Sequence, residues 1–298
     1  MSGAAPPARG RALAHARPLA LAGLLLACSA PPPTSDERPI RRVDHFNVRS
    51  PDVAALAETL SRHLGLRVLW PPVSFGSVTV AGLSLGNTVV ELIDDGTAGA
   101  TSALAAIAFE PAGDAAEAAR WLDRQGLEHT TPRLFPPDGG DADALRWETL
   151  YLRGLVSAPA EIYLCDYKDR EQVESFRIEA AEELRQANGG PIGLESVAEI
   201  VVGHADLVSA RTVWARLLGG WESPSEPGLF RFDRGPAVRL VESERGGILE
   251  VVLMVRSLEV ARAYLREQGL LGEGEGVDLG DASGPLLGLH FVLRERQT

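Results

Sequence analysis

The chain repeats one pattern: a short apolar strand, an amphipathic helix and then paired strands. The clearest copy opens with Val-Asp-His-Phe-Asn-Val at residues 43–48 and closes with Asn-Thr-Val-Val-Glu-Leu-Ile at residues 87–93. A fixed repeat of this kind constrains the architecture more than any single residue does. It predicts an α+β fold of four βαβββ modules, which form two paired domains. The first strands of the four copies end at Val48, Phe109, Val202 and Val255, which are 61 residues apart in the first half and 53 in the second.

The repeat also predicts how the chain is divided. Residues 40–168 hold the first two modules, and residues 192–298 hold the last two. Residues 169–191 form an acidic helical linker, which ends where Gly189-Gly190 is followed by Pro191, because this combination stops a helix. In the first module, Ser50-Pro51-Asp52 is a helix start and Gly65 is a stop. Among the predicted strands are residues 66–69, 127–131 and 287–293.

The first 39 residues have the composition of an export signal and a tether. Arg9, Arg11 and Arg17 precede an apolar run at residues 19–27, which is too short to span a bilayer. The run ends in Leu-Leu-Ala-Cys at residues 25–28 and resembles a bacterial lipoprotein signal. The resemblance implies that residues 1–27 are removed and that Cys28 is lipidated, with residues 28–39 as a flexible tether at the outer membrane. The alternative is an ordinary secretory signal in which Cys28 is incidental.

The charge and the cysteine count limit the possible partners. The formal net charge is −12, and removal of the three arginines of the signal makes it −15. This balance argues against nucleic acid and anionic lipid surfaces as partners, so the membrane is reached through the lipid anchor only. If Cys28 carries lipid, Cys165 has no disulfide partner, and its strand-like surroundings predict a small buried residue.

Strand alternation places two polar residues on one surface. If Phe46 and Val48 face the helix of their module, His45 and Asn47 face the opposite, concave side. On the closing strand, the same alternation places Glu91 on that side. A neutral imidazole and a carboxylate together suit zinc, iron, manganese, cobalt or nickel. The alternative is that His45 is an ordinary surface or hydrogen-bonded core histidine.

The most specific stretches resemble a known superfamily. These are Val-Asp-His-Phe at residues 43–46, Gly-Leu at 65–66 and Val-Glu-Leu-Ile at 90–93, and together they resemble the vicinal oxygen chelate superfamily. Leu-Arg-Trp at residues 145–147 further resembles its glyoxalase-like branch. The resemblance implies that the paired modules form curled mixed sheets, and that these sheets make a cup with the ligand inside. It places His45 and Glu91 at metal-ligand positions and implies that Glu91 also acts as a catalytic base.

Other candidate residues lie on the remaining strands of the repeat. Ala106 stands where the resemblance would place a further ligand. Glu161 and Tyr163 share one strand face, and either could complete a metal site, with Glu161 as the predicted ligand. Asn47, Trp147 and Tyr163 are predicted to line a small-molecule pocket. In the second half, Glu199 and Arg239 are expected to form a buried ion pair, which makes that half degenerate, with His290 as its plausible extra ligand.

Three functions remain open. The first is a metal-dependent lyase, isomerase or dioxygenase that acts on a small oxygen-chelating substrate. The second is a metal-free envelope lipoprotein that sequesters a small molecule. The third is a surface lipoprotein whose cups are structural. Fold alone does not separate them, because function depends on the site.

Overall fold

The computed structural model describes residues 39–135, 145–218, 220–272 and 277–296. Cys28, the predicted signal at 1–27 and all but the last residue of the predicted tether lie outside the described residues. Within these ranges, no helix is both long enough and apolar enough to cross a membrane.

The first half forms one eight-stranded mixed sheet, in the order β2-β3-β4-β1-β5-β8-β7-β6. Each of its two modules is closed by a parallel pair, β1 with β4 and β5 with β8, and the modules join through the antiparallel pair β1 with β5. Its elements are β1 (Ile40–Arg49), α1 (Val53–Leu64), β2 (Val68–Phe75), β3 (Val78–Ser84), β4 (Val89–Asp94), β5 (Ala103–Pro111), α2 (Ala115–Gln125), β6 (Arg133–Phe135), β7 (Trp147–Leu152) and β8 (Glu161–Tyr167).

The second half forms a five-stranded sheet in the order β10-β11-β9-β12-β13. The same parallel closures recur, β9 with β11 and β12 with β13, and β9 joins β12 in antiparallel. The two mixed sheets confirm the predicted fold class. The elements are α3 (Arg170–Gln186), which precedes this sheet, β9 (Leu194–His204), α4 (Leu207–Leu218), β10 (Leu229–Phe230), β11 (Ala237–Glu242), β12 (Gly247–Val255), α5 (Leu258–Glu267) and β13 (Phe291–Glu295).

The modules of the second half have fewer strands than the predicted βαβββ. Among the described residues, the third module has two strands after its helix and the fourth has one. The predicted last strand at 287–293 begins only at Phe291, because the preceding residues fold into short 3-10 turns at Leu279–Asp281 and Gly284–Leu286. Gly288 follows them with a φ of 86°, a left-handed conformation that suits glycine and interrupts a strand.

Two strands of the first half also differ from the prediction. Residues 127–131 hold one isolated bridge at His129, and the strand itself follows at β6. The predicted strand at 66–69 starts later and continues through Pro71 and Pro72 to the end of β2. Proline is tolerated there because β2 is the edge of the sheet, where a missing N–H breaks no ladder.

The helix limits follow the predicted signals. Asp52 caps α1 by accepting a hydrogen bond from the N–H of Ala55, and Gly65 ends it with a φ of 71°. At α2, Asp114 and Glu117 form a capping box, in which each side chain accepts from the other residue's N–H. These caps fix where each helix begins, and the buried apolar residues of each helix pack in the shared core.

The helix-facing sides of both sheets share one core. Phe46, Val48, Val90 and Leu92 are fully buried in it, as strand alternation predicts. Phe46 meets Phe291 of the second sheet edge to face, with ring centres 6.1 Å apart. The polar side chains that alternate with these residues therefore lie on the opposite side of the first sheet.

Asp166 ties the start of α2 to the start of α3. Its buried carboxylate accepts from the N–H of Ala115 at 3.0 Å and pairs with Arg170 at 2.6 Å and Lys168 at 3.1 Å. Burial alone would raise the pKa of Asp166, but these donors outweigh burial and hold the pKa below its ordinary 3.8. A carboxylate with a lowered pKa stabilises the fold above the unfolded value, and this stability is lost as the pH falls through the folded value.

We therefore expect Asp166→Asn to lower the free energy of unfolding by about 1.5–3 kcal/mol near neutral pH, the range for hydrogen bonds to a charged group. Urea unfolding near neutral pH and at about pH 3 measures this difference. The difference in the free energy of unfolding between wild type and variant should be smaller at the lower pH, because Asp166 itself then begins to bind a proton. An equal difference in the free energy of unfolding at both pH values would contradict this role of Asp166.

Candidate functional site

Strand register places two rows of side chains across the concave face of the first sheet. Residues paired across neighbouring strands point to the same side, so each row can be read from β4 through β1 and β5 to β8. The first row is Val89, His45, Ala108 and Tyr163, and the second is Glu91, Asn47, Ala106 and Glu161.

His45 lies between two hydrogen-bonding partners in the first row. Its Nδ1 is 2.5 Å from Oδ2 of Asp44, and its Nε2 is 2.6 Å from the hydroxyl of Tyr163. All three side chains are buried. Asp44 also pairs with Arg177, and a carboxylate in an ion pair only accepts hydrogen bonds, so Nδ1 of His45 is the donor in the short contact. This leaves Nε2 as the nitrogen that faces the concave surface.

Asn47 connects this histidine to Glu91. The Tyr163 hydroxyl donates to Oδ1 of Asn47 at 2.9 Å, and Nδ2 of Asn47 donates to Oε2 of Glu91 at 2.6 Å. Nε2 of His45 lies 3.3 Å from the same Glu91 oxygen. The structure therefore brings together His45, Glu91, Asn47 and Tyr163, which come from three different strands.

The tyrosines of this network are neutral donors. Burial raises the pKa of Tyr163 well above its ordinary value of 10, and the nearby Glu91 carboxylate raises it further. Burial raises the pKa of Tyr167 in the same way, and its hydroxyl donates to Asp44 at 3.0 Å. Burial also raises the pKa of the Cys165 thiol, which makes it a small buried residue rather than a nucleophile.

Asp44 is the site residue that the sequence pattern missed. It precedes His45, so simple alternation would place the two on opposite faces. The pairing of β1 with β5 slips between Val43 and His45, and Asp44 is the extra residue of this bulge. A bulge re-aims side chains, and here it brings the carboxylate beside the imidazole. The only sign of this contact in the sequence is that an aspartate directly precedes His45. Its meaning depends on the register of β1 against β5.

Small and aromatic side chains cover the remainder of the concave face. Ala106 and Ala108 of β5 are buried beside Tyr163, and the ring centres of Tyr151 and Tyr163 are 5.1 Å apart. Burial, together with the Glu161 and Glu91 carboxylates, raises the pKa of Tyr151 to about 12. Trp147 stacks on Phe135 at 6.2 Å, further along the same face. Trp147, a predicted pocket residue, thus belongs to an aromatic surface rather than to the hydrogen-bonded group.

A cavity of about 290 Å³ adjoins the row that holds His45. It lies where α3 crosses the beginning of β1 and β4. The strands contribute Asp44 and Val89 to its wall, the turn before β4 contributes Thr88, and α3 contributes Glu174, Arg177 and Ile178. The space is large enough for a small ligand next to the chain of hydrogen bonds.

Two of the predicted metal ligands, His45 and Glu91, lie close together, and the third, Glu161, lies apart from them. The separation of 3.3 Å between Nε2 of His45 and Oε2 of Glu91 suits two ligands with bonds of about 2.0–2.2 Å to one ion. Asp44 behind the imidazole is the partner that ligating histidines commonly have. Glu161 is exposed and two strands further along its row than Asn47. No group of three His, Cys, Asp or Glu side chains is placed to hold an ion in the part of the chain that the structure describes.

The second sheet carries different groups at the corresponding places. Glu199 pairs with Arg239, as expected, and also with Arg294 at 3.0 Å. His290 pairs with Asp278 at 2.7 Å. The predicted ion pair between Glu199 and Arg239 is present, and each of these charged side chains has a partner within the second sheet or its loops.

Comparison with known proteins supports the fold. The sequence matches no protein-family model and no curated protein sequence. The structure is similar to an extradiol ring-cleaving dioxygenase from B. fuscum, with a TM-score of 0.55, 13% identity and coverage of 88% of this chain and 74% of that one. It is also similar to homoprotocatechuate 2,3-dioxygenase from Arthrobacter globiformis, with a TM-score of 0.53, 13% identity and coverage of 90% and 82%. The chain therefore has a dioxygenase-like fold of paired modules, which the resemblance to the vicinal oxygen chelate superfamily predicts.

Proposed function

We propose that the concave face of the first sheet binds a small oxygen-bearing molecule and transfers a proton to or from it through His45 and Tyr163. The observation that carries this proposal is the continuous chain of contacts from Asp44 through His45 and Tyr163 to Asn47. Abstraction of a proton next to a carbonyl group is a step that lyases and isomerases share. The dioxygenase-like fold supports a small substrate with neighbouring oxygens.

His45 is the proposed general base. Asp44 fixes its ring by accepting from Nδ1, so a proton taken up at Nε2 produces an imidazolium that the Asp44 carboxylate stabilises. Tyr163 has one hydroxyl proton and two acceptors, Nε2 of His45 and Oδ1 of Asn47. This proton can therefore shift between them with little movement of heavy atoms.

Tyr163 and Glu91 are proposed to orient the substrate. The raised pKa of Tyr163 keeps its hydroxyl protonated, so it can donate to a carbonyl oxygen as negative charge develops there. The Glu91 side chain is 20% exposed and Tyr151 is 36% exposed, so a ligand can reach the group from their side. A hydroxyl group on the substrate would then donate to Glu91.

Exchange of carbon-bound hydrogen with solvent tests this proposal without knowledge of the natural substrate. Hydroxyacetone, in which a carbonyl and a hydroxyl lie on neighbouring carbons, is incubated with the protein in D₂O and followed by proton NMR. We expect the protein to accelerate loss of the hydrogens next to the carbonyl. His45→Gln should reduce the protein-dependent rate by about 10²–10⁴-fold, the usual contribution of a general base.

The matched control is His129→Gln. His129 also pairs with an aspartate, Asp123 at 3.2 Å, but this pair lies at the helix α2 and outside the concave face. The control should exchange at the wild-type rate. Equal rates for wild type and His45→Gln would refute the proposal. Binding of hydroxyacetone without exchange would favour a sequestering protein.

A second candidate function is metal-dependent catalysis at the same site. It is favoured by the separation of 3.3 Å between Nε2 of His45 and Oε2 of Glu91. His45 and Glu91 would hold a zinc, iron, manganese, cobalt or nickel ion, which supplies Lewis-acid chemistry to bound oxygens when present. Metal content after loading and desalting tests it, with His45→Ala and Glu91→Ala expected to lose bound metal. Glu199→Ala, in the second sheet, should retain the wild-type content. Wild-type protein that retains no divalent metal would exclude this candidate and leave the first untouched.

A further inference from the structure

We propose that Arg177, in the linker helix α3, positions His45 by holding Asp44. Its guanidinium contacts Asp44, and Asp44 accepts from Nδ1 of His45. The helix between the two halves would thereby set the orientation of the imidazole. The catalytic meaning of this inference rests on the proposed function, but the contact chain can be tested without any activity.

The surroundings of Arg177 are those of a buried, polar anchor. Its side chain is 16% exposed, and it pairs with Glu110 at 2.9 Å as well as with Asp44. The guanidinium carbon lies 5.6 Å from the ring centre of Tyr167, which itself donates to Asp44. Arg177 thus contacts Asp44 directly and also packs against the other donor that holds it.

The two carboxylate oxygens of Asp44 have different partners. Oδ2 accepts from His45 and from Tyr167, while Oδ1 is the oxygen that pairs with Arg177. The Asp44 side chain is 1% exposed, so water cannot readily replace a lost partner. Without Arg177, Oδ1 of this buried carboxylate loses its ion-pair partner, so the carboxylate is free to turn away from Nδ1 of His45.

The same arginine is connected to the second half of the chain. Arg177 lies 3.7 Å from Glu174, one turn earlier in α3. Glu174 pairs with Arg234, in the segment before β11, at 2.6 Å. A path of charged contacts therefore runs from the second half through α3 to Asp44 and His45.

Arg67 provides a matched control, because it anchors α3 without touching Asp44. It pairs with Glu183 at 2.9 Å and with Glu179 at 3.6 Å, both in the second half of α3. If α3 acts only by packing on the sheet, loss of either arginine should have the same effect. If Arg177 acts through Asp44, only its loss should alter His45.

Proton NMR of the imidazole N–H provides the readout. A ring proton in a short contact with a carboxylate resonates far downfield of the amide signals, and its absence in His45→Gln assigns it. We expect the signal in wild type and in Arg67→Gln, and its loss in Arg177→Gln. Arg177→Lys should keep the signal at a changed position, because lysine retains the charge but cannot bridge Asp44 and Glu110 as a guanidinium does.

Thermal unfolding of each variant shows whether it is folded. An unchanged signal in folded Arg177→Gln would overturn the inference, and so would loss of the signal in both Arg177→Gln and Arg67→Gln. If Arg177→Gln does not fold, Arg177→Lys provides the test. An unchanged position of the imidazole signal in Arg177→Lys would overturn the inference that Arg177 acts on His45 through Asp44. The expected NMR result, without hydroxyacetone exchange in wild type, would leave the inference standing and reject the proposed function.

Discussion

Replacing Glu110 by alanine is expected to lower the free energy of unfolding by about 3–5 kcal/mol, the range for breaking a buried ion pair from one side. Glu110 is buried at the end of β5 and accepts from Arg41 at 2.9 Å, Arg42 at 2.8 Å and Arg177 at 2.9 Å. Burial alone would lower the pKa of Arg42, but the Glu110 carboxylate, together with Glu174, outweighs burial and raises this pKa above its ordinary value. Loss of Glu110 would remove the acceptor that lies within 3 Å of both largely buried guanidinium groups and would leave them to Glu174 and Asp44.

Urea unfolding provides the measurement, and Glu58→Ala is the control. Glu58 pairs with Arg62 on the surface of α1, where both side chains are more than half exposed. Exposed pairs of this spacing contribute about 0.3–0.5 kcal/mol, so the control should unfold almost as wild type does. A loss below about 1 kcal/mol in Glu110→Ala would mean that water enters and solvates the arginines, contrary to the buried network described above.

The positions of His45 and Glu91 could be predicted because alternation along a strand is a local rule. Each strand has apolar residues on its helix side, so the polar residues between them must face the other way. Nothing beyond a few neighbouring residues was needed. The same reasoning places Asn47 and Tyr163 on the concave face, and their contacts with His45 and Glu91 follow once the strands are paired.

The parts that could not be predicted depend on contacts between distant segments. Whether Glu161 or Tyr163 approaches His45 depends on the register of β8 against β5, and the structure places Tyr163 beside His45 and leaves Glu161 exposed. Arg177 reaches Asp44 from α3, 133 residues along the chain. A local sequence pattern does not predict such a contact, because the contact depends on where α3 crosses the sheet.

The second half differs from prediction for a related reason. The apolar character of residues 287–293 suits a strand, but residues 284–288 form a short 3-10 helix and a turn, and Leu286 and Leu289 are buried in the core. Tertiary packing decides between these options, and strand propensity describes burial on a pleated surface more than a backbone preference. The core therefore includes leucines from turns as well as from strands.

Trp214 is the residue whose loss should show how strongly the two halves depend on each other. It is fully buried on α4, in the second half, and its ring meets Phe109 of the first sheet with centres 6.3 Å apart. Its indole N–H donates to the carbonyl of Leu155, also in the first half, at 3.2 Å. We expect Trp214→Ala to lower the free energy of unfolding by about 3–5 kcal/mol, as large-to-small core replacements of tryptophan do.

The control for Trp214 lies on the same helix. Val208 is 76% exposed, and Val208→Ala should change the free energy of unfolding by about 0.5 kcal/mol or less. Urea unfolding followed by far-ultraviolet circular dichroism measures both variants. Because Trp214 contacts both halves, its loss should lower a single shared transition rather than split it. Two separate transitions in Trp214→Ala, one of them at the wild-type midpoint, would show that the halves unfold independently and that the shared core does not couple them.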